Sequence, residues 1–377
     1  MYSLPNDNDD SLDISALSRL FESRTNSYKY LYLLSLLDIL KRKKFDIVSP
    51  ISFQDIIIEM LANAWYPHNY FKLSFGTQDQ IANKLDSLQL EITEPILKFR
   101  DTDKKHLRTA ISSQNINDIV DFISNYVPYR LIRPFFAEET RGFKDYDVNP
   151  AVISLSKNKF DEKKPLYCFN ALKQKDCSAI ILHQDWIKYL DKNYIVVRGW
   201  ASWEWLKYMQ QRNPSIPNVV NKLFMPQKRD SLTKQTKYWK AVLTHQELKC
   251  IYSEVQLNKD EISLDHYLPW SFVAHDQLWN LIPTTPSVNS SKSNNLPSQI
   301  YFDKFVSLQY LALTVSYNNI SEKKWLKDIE PFVSDLKVNQ PEDLLNLEIL
   351  ANAYETNLLP LITLASNQGF SANWVYA

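Results

Sequence analysis

The stretch that decides the reading lies between Cys250 and Pro297. It contains Leu264-Asp265-His266-Tyr267-Leu268-Pro269-Trp270-Ser271-Phe272, then Trp279-Asn280-Leu281-Ile282-Pro283-Thr284, then Val288-Asn289-Ser290-Ser291-Lys292-Ser293-Asn294-Asn295-Leu296-Pro297. Local preferences predict a strand near 250–256, a turn at Asn258-Lys259-Asp260, and a strand near 261–265 that ends on the Asp-His pair. A long loop then leads to Asn280. A short helix from near Pro286 would carry Asn289 and Lys292 on one face, three residues apart.

These residue types suit hydrolysis of a phosphodiester. The reaction needs a base to activate water, a cation to offset charge on the phosphate and leaving oxygen, and rigid placement of both. Histidine, with an ordinary pKa of about 6.5, is a suitable base near neutral pH. A carboxylate and an amide oxygen are hard donors for Mg²⁺ or Mn²⁺; Asp265 and Asn289 supply such a pair. Successive side chains on a strand point to opposite faces, so Asp265 can face a metal while His266 reaches the water if the strand ends or bends there.

This segment resembles the HNH, or ββα-metal, nuclease superfamily, and within it the HNH domains of the large RNA-guided CRISPR effector nucleases and their transposon-encoded relatives. The resemblance is carried by Cys250-Ile251-Tyr252-Ser253, by Asp265-His266 followed by Pro269, Ser271 and Phe272, by Asn280-Leu281, and by Asn289, Lys292, Ser293, Asn295 and Pro297 in that order. It implies a general base at His266, metal ligands at Asp265 and Asn289, and an amide at Asn280 that braces the loop and orients the histidine. It also implies a basic residue near the substrate phosphate at Lys292. Many members hold a structural zinc with two CxxC pairs. Here Ser253 stands where a second cysteine often sits, so no structural zinc is expected, and Pro269, Trp270, Phe272, Trp279 and Leu281 are expected to hold the module by packing.

Outward from this segment, composition removes other chemistries. The chain has only Gly76, Gly142, Gly199 and Gly369 among 377 residues. Phosphate-cradling loops need closely spaced glycines, so P-loop hydrolysis and dinucleotide redox chemistry are excluded, as is the usual Gly-x-Ser-x-Gly elbow. The three cysteines, Cys168, Cys177 and Cys250, form no disulfide framework and point to a reducing cytoplasm. The most apolar run, Tyr28 to Leu40, is too short to span a bilayer, which takes about 20 residues, and reads as a buried helix. No membrane partner is expected.

Net charge is zero, but residues 222–249 carry seven basic side chains (Lys222, Lys228, Arg229, Lys234, Lys237, Lys240, Lys249) against Asp230 and Glu247. Lys228, Arg229, Lys234 and Lys237 are candidate contacts to a nucleic-acid backbone, beside Lys292; a solvated helix face is the alternative. The run Lys41-Arg42-Lys43-Lys44 reads as a cationic helix end, favourable against the dipole.

The expected fold class is α+β: a ββα-metal module in a mostly helical protein with a small middle α/β region. The expected divisions are a helical N-terminal domain over 1–125, a mixed α/β region over 126–245, the HNH module over 246–310 and a helical region over 311–377. Leu31, Leu34, Leu37 and Leu40, then Phe53, Ile56, Ile57, Met60, Leu61 and Ala64 behind a Ser52 cap, follow helical spacing. Residues 152–155, 166–169 and 179–182 are β-prone runs. Trp200, Trp203, Trp205, Leu206 and Met209 follow helical spacing again. Leu344, Leu345, Leu347, Leu350 and Ala353 form a helical face after a start at Pro341.

The functional expectation is a cytoplasmic, metal-dependent DNA endonuclease, serving in the superfamily's manner in defence against phage or foreign DNA. RNA as substrate stays open. So does a complex-forming subunit that is silent without a partner protein, and a homodimer if both strands are cut.

Overall fold

Every residue from Tyr30 to Leu37 is buried, so the apolar run at 28–40 folds as an internal helix, α1 (Tyr28–Arg42). The computed structural model describes residues 4–6, 11–22, 25–88, 90, 104–224 and 231–377. The chain forms two compact units, Met1–Pro214 and Ser215–Ala377. The architecture is α+β and mostly helical, with small antiparallel sheets.

In the first unit, α1 packs on α2 (Phe53–Trp65). The Ser52 side chain accepts from the Asp55 amide at 3.0 Å, which satisfies one of the orphan donors at the helix start. Just before it, β1 (Ile51–Ser52) edges a three-stranded sheet of order β1-β3-β2, with β2 (Tyr167–Phe169) and β3 (Ala179–Leu182). Two of the three β-prone runs are thus strands. The third, 152–155, lies inside helix α3 (Asp145–Asn158). There Val148, Val152, Ile153 and Ser156 are buried at spacings of three and four, and this helical burial overrides β-branched propensity. Helix α4 (Tyr194–Arg212) carries the tryptophan-rich segment. Trp205 and Met209 are core, Trp200 stacks on Phe21 at 4.9 Å, and Trp203 is exposed.

The second unit is built round a two-stranded antiparallel sheet, β4 (Ser263–His266) with β5 (Leu281–Thr284). Their register sets Asp265 opposite Ile282 and His266 opposite Leu281. Helix α5 (Thr233–His245) precedes the sheet and α6 (Pro286–Lys292) follows it. Thr285 caps α6, and Pro286 takes the first turn, where its missing N–H costs nothing. The helices α7 (Phe302–Asn319), α8 (Glu322–Asp335) and α9 (Leu347–Asn367) complete the unit. The ring of Tyr267 stacks on Phe305 of α7 at 4.0 Å, and Phe305 meets Tyr354 of α9 edge-on at 5.2 Å.

Two further local expectations differ from the structure. Residues 250–256 form a tight turn closed by an isolated Lys249–Gln256 bridge instead of a strand. The Cys250 amide donates to Val255 O and the Glu254 amide to Cys250 O, so the chain reverses too sharply to extend. In addition, Pro341–Leu345 is a 3-10 turn, and α9 begins only at Leu347, where the Asn346 side chain accepts from the amides of Glu348 and Ile349. No helix among the described residues is long and apolar enough to cross a membrane.

Candidate active site

Asp265 and His266 are the last two residues of β4, and the alternation of the strand sends them to different partners. Asp265 is 2% exposed. Its Oδ2 accepts from the Tyr252 hydroxyl at 2.9 Å, and its Oδ1 accepts from Lys292 Nζ at 3.1 Å. Lys292, wholly buried at the end of α6, also donates to His266 O at 2.6 Å. Burial pushes the Lys292 ammonium below its ordinary pKa, and the Asp265 carboxylate opposes that shift. Burial, with the charge of Asp265 beside it, holds the Tyr252 hydroxyl well above its ordinary value.

Asn289 lies one turn before Lys292. Its Nδ2 donates to Ser263 Oγ at 2.6 Å and to Leu264 O at 3.2 Å, pinning α6 against β4. The amide oxygen is the end that a hard cation would take. The donors are therefore of the right chemistry for Mg²⁺ or Mn²⁺. In this arrangement, however, both oxygens of Asp265 are engaged, and an ammonium already supplies the positive charge. An ion at Asp265 would share these oxygens with Tyr252 and Lys292. Among the described residues, no group of three or more His, Cys, Asp or Glu is placed to hold a metal.

His266 turns the other way. Its Nε2 lies 2.8 Å from Asp276 Oδ1, in a pair largely shielded from water. Asp276 sits ten residues on, in the loop between β4 and β5, and the motif does not mark it. Asn280, 0% exposed, ties that loop shut. Its Oδ1 accepts from the Leu268 amide at 2.8 Å and its Nδ2 donates to Leu268 O at 2.9 Å. The Tyr267 amide also donates to Asn280 O at 2.8 Å. Both ends of the His266 loop are thus tied together by Asn280 backbone and side chain. Outside this tie, Gln309 of α7 donates to Leu281 O at 3.0 Å, and Trp279 Nε1 donates to Asp335 Oδ2 of α8 at 2.6 Å.

The basic segment divides. Lys222 turns inward, its ammonium against Phe272 O, and burial pushes its pKa down to about 7. Lys240 faces Asp260 at 3.6 Å. Lys228 and Arg229 lie outside the described residues. Lys234 and Lys237 of α5 line a groove of about 300 Å³ together with Lys324 and Lys327 of α8. Tyr238, Val242, Val315 and Ile320 supply apolar lining there. Burial pushes the carboxyl of Asp328, in the same groove, above its ordinary value.

The residues expected at the site lie on β4 (Asp265, His266), just before β5 (Asn280) and on α6 (Asn289, Lys292), whereas Asp276 and the bond from Tyr252 to Asp265 were not expected. A buried tyrosine needs a partner for its hydroxyl, but nothing local says that Tyr252 bonds Asp265. Cys250, buried with its sulfur 3.1 Å from Thr284 Oγ1, packs the turn against β5 and has no second cysteine at hand.

Comparison with known proteins agrees with this location. No curated protein and no solved structure matches the chain. Residues 250–298 match a family model described as HNH endonuclease, a match confined to the turn, the strand pair and α6 with its exit. Nuclease is the class of activity that family carries, and the likeness of this chain to it is limited to this segment.

Proposed function

We propose that the chain is an endonuclease that hydrolyses DNA phosphodiester bonds, with His266 as the general base. The observation that carries the reading is the family match over 250–298, on a segment in which His266, the last residue of β4, is shielded and paired and its loop is braced. The base would take a proton from the attacking water. Asn280 would fix the loop on which the histidine's surroundings depend, and the exposed lysines 234 and 237 would meet backbone phosphates without reading sequence. Defence against foreign DNA is part of this proposal and rests on the resemblance alone.

Members of the family use a divalent cation, and Mg²⁺ or Mn²⁺ at Asp265 and Asn289 belongs to the same proposal. Such an ion would neutralise charge on the phosphate. The Lys292 ammonium already paired with Asp265 favours a second reading, a module at rest until a partner or substrate acts on it.

The test is cleavage of plasmid DNA and of matched RNA with Mg²⁺ or Mn²⁺, with His266→Ala as the comparison. Loss of cleavage in the variant supports the assignment, and equal cleavage by both proteins removes it. Faster cleavage of RNA than of DNA would replace the substrate and keep the base.

A further inference from the structure

We propose that Asp276 is a positioning residue for His266, holding the imidazole in the tautomer whose Nδ1 is basic. The inference rests on the reading of His266 as general base and extends it to a residue outside the motif. With Asp276 ionised, its carboxylate only accepts hydrogen bonds, and the Nε2 atom 2.8 Å from its Oδ1 then carries the proton. Nδ1 is then the nitrogen with a lone pair. When that nitrogen takes a proton from water, the carboxylate at the far side of the ring faces a cationic imidazolium and remains ionised, as in a carboxylate–histidine arrangement of any fold.

The loop is built to put Asp276 there. It leaves the helical turn Trp270–Val273 through Ala274, whose φ of 52° reverses the chain. Lys222 donates to Phe272 O, and Asn218 Nδ2 donates to Val273 O at 2.8 Å, both from the segment before α5. Gln235 of α5 donates to Asp276 O itself at 2.9 Å. Gln277 N donates to His275 Nδ1 at 3.3 Å, and Asn280 closes the far end. The main chain of Asp276 is thus held by α5 while its side chain reaches back to β4. Phe272 and Val273 are buried, so their carbonyls need these protein donors, and the donors fix the path of the loop.

The experiment compares wild type with Asp276→Ala and the near-isosteric Asp276→Asn in the full chain. A general base contributes on the order of 10²–10⁴-fold to rate, so loss of its positioning should lower kcat by roughly 10- to 100-fold with KM little changed. Asp276→Asn keeps the shape but can donate to Nε2 and reverse the tautomer, so its kcat should fall as well. The second readout needs no cleavage: the solvent-protected Nε2 proton of His266, followed by proton NMR, should be present in wild type and lost in Asp276→Ala. Unchanged kcat in Asp276→Ala, or an unchanged ring proton signal, overturns the proposal. Absence of cleavage by wild type overturns the nuclease reading instead, and the ring proton then decides the pairing by itself.

Discussion

Lys292 Nζ lies 3.1 Å from Asp265 Oδ1, and the two side chains are 0% and 2% exposed. A buried ion pair is held less by its net strength than by the cost of breaking it. Removing one partner leaves a charge in a low-dielectric site. Lys292→Met should therefore lower stability by about 3–5 kcal/mol, measured by urea unfolding. Asp265→Asn combined with Lys292→Met should recover much of that loss, because neither charge then remains unpaired. A double variant no more stable than Lys292→Met would show that the pair is not what holds these residues.

Asn280→Ala removes the acceptor for the Leu268 amide and the donor for the Leu268 carbonyl, both buried. Each orphaned group costs about 1–3 kcal/mol. A stability loss of about 2–5 kcal/mol is expected, together with reduced cleavage under conditions where the variant is folded. Asn280→Asp should also destabilise, since it sets a carboxylate oxygen against the Leu268 carbonyl. A fully stable Asn280→Ala with reduced cleavage would make the residue catalytic and not a brace.

Replacing Lys234 and Lys237 with Gln should weaken DNA binding across all sequences. Each phosphate contact contributes about 0.9 to the slope of log affinity against log salt, so the pair should reduce that slope by about 2. Lys324→Gln and Lys327→Gln, across the same groove, should lower it further. Fluorescence anisotropy with labelled duplexes at several salt concentrations measures this. An unchanged slope would assign these lysines to a solvated face.

His275 carries a pH signature. Burial pushes its imidazole down to about 4 from an ordinary value near 6.5. Its folded value lies below its unfolded value, so its contribution is fully present above about 6.5. It is lost as pH falls through that value towards 4, because the unfolded chain binds the proton more readily. Thermal unfolding of wild type should thus lose stability between these limits, and His275→Gln should flatten part of that slope. Identical profiles would place the acid sensitivity elsewhere.

Much of the fold was legible because it is written in local rules. The Ser52 cap, the buried helix at 28–40, the strands at 167–169 and 179–182, and a helix opening at Pro286 all follow from capping and periodicity over a few residues. The errors arose where local rules compete. Residues 152–155 favour a strand by propensity, yet the buried faces of α3 impose the helix. Residues 250–256 favour a strand by local preference, yet the Cys250–Val255 hydrogen bond closes them into a turn.

The sequence by itself determined the chemistry of the module: an Asp-His pair ending a strand, an amide at Asn280, and Asn289 with Lys292 on a short helix. These residue types occur in an order and at spacings that a linear pattern can hold. Only the tertiary structure decided how they face one another. It turned Lys292 inward onto Asp265, gave Asp265 a second partner in Tyr252, and brought Asp276 to His266. The physical reason is that each of these contacts joins residues across a loop or turn with no period. Its path is set by hydrogen bonds from Asn218, Lys222, Gln235 and Asn280, side chains whose partners become neighbours only once the chain has folded.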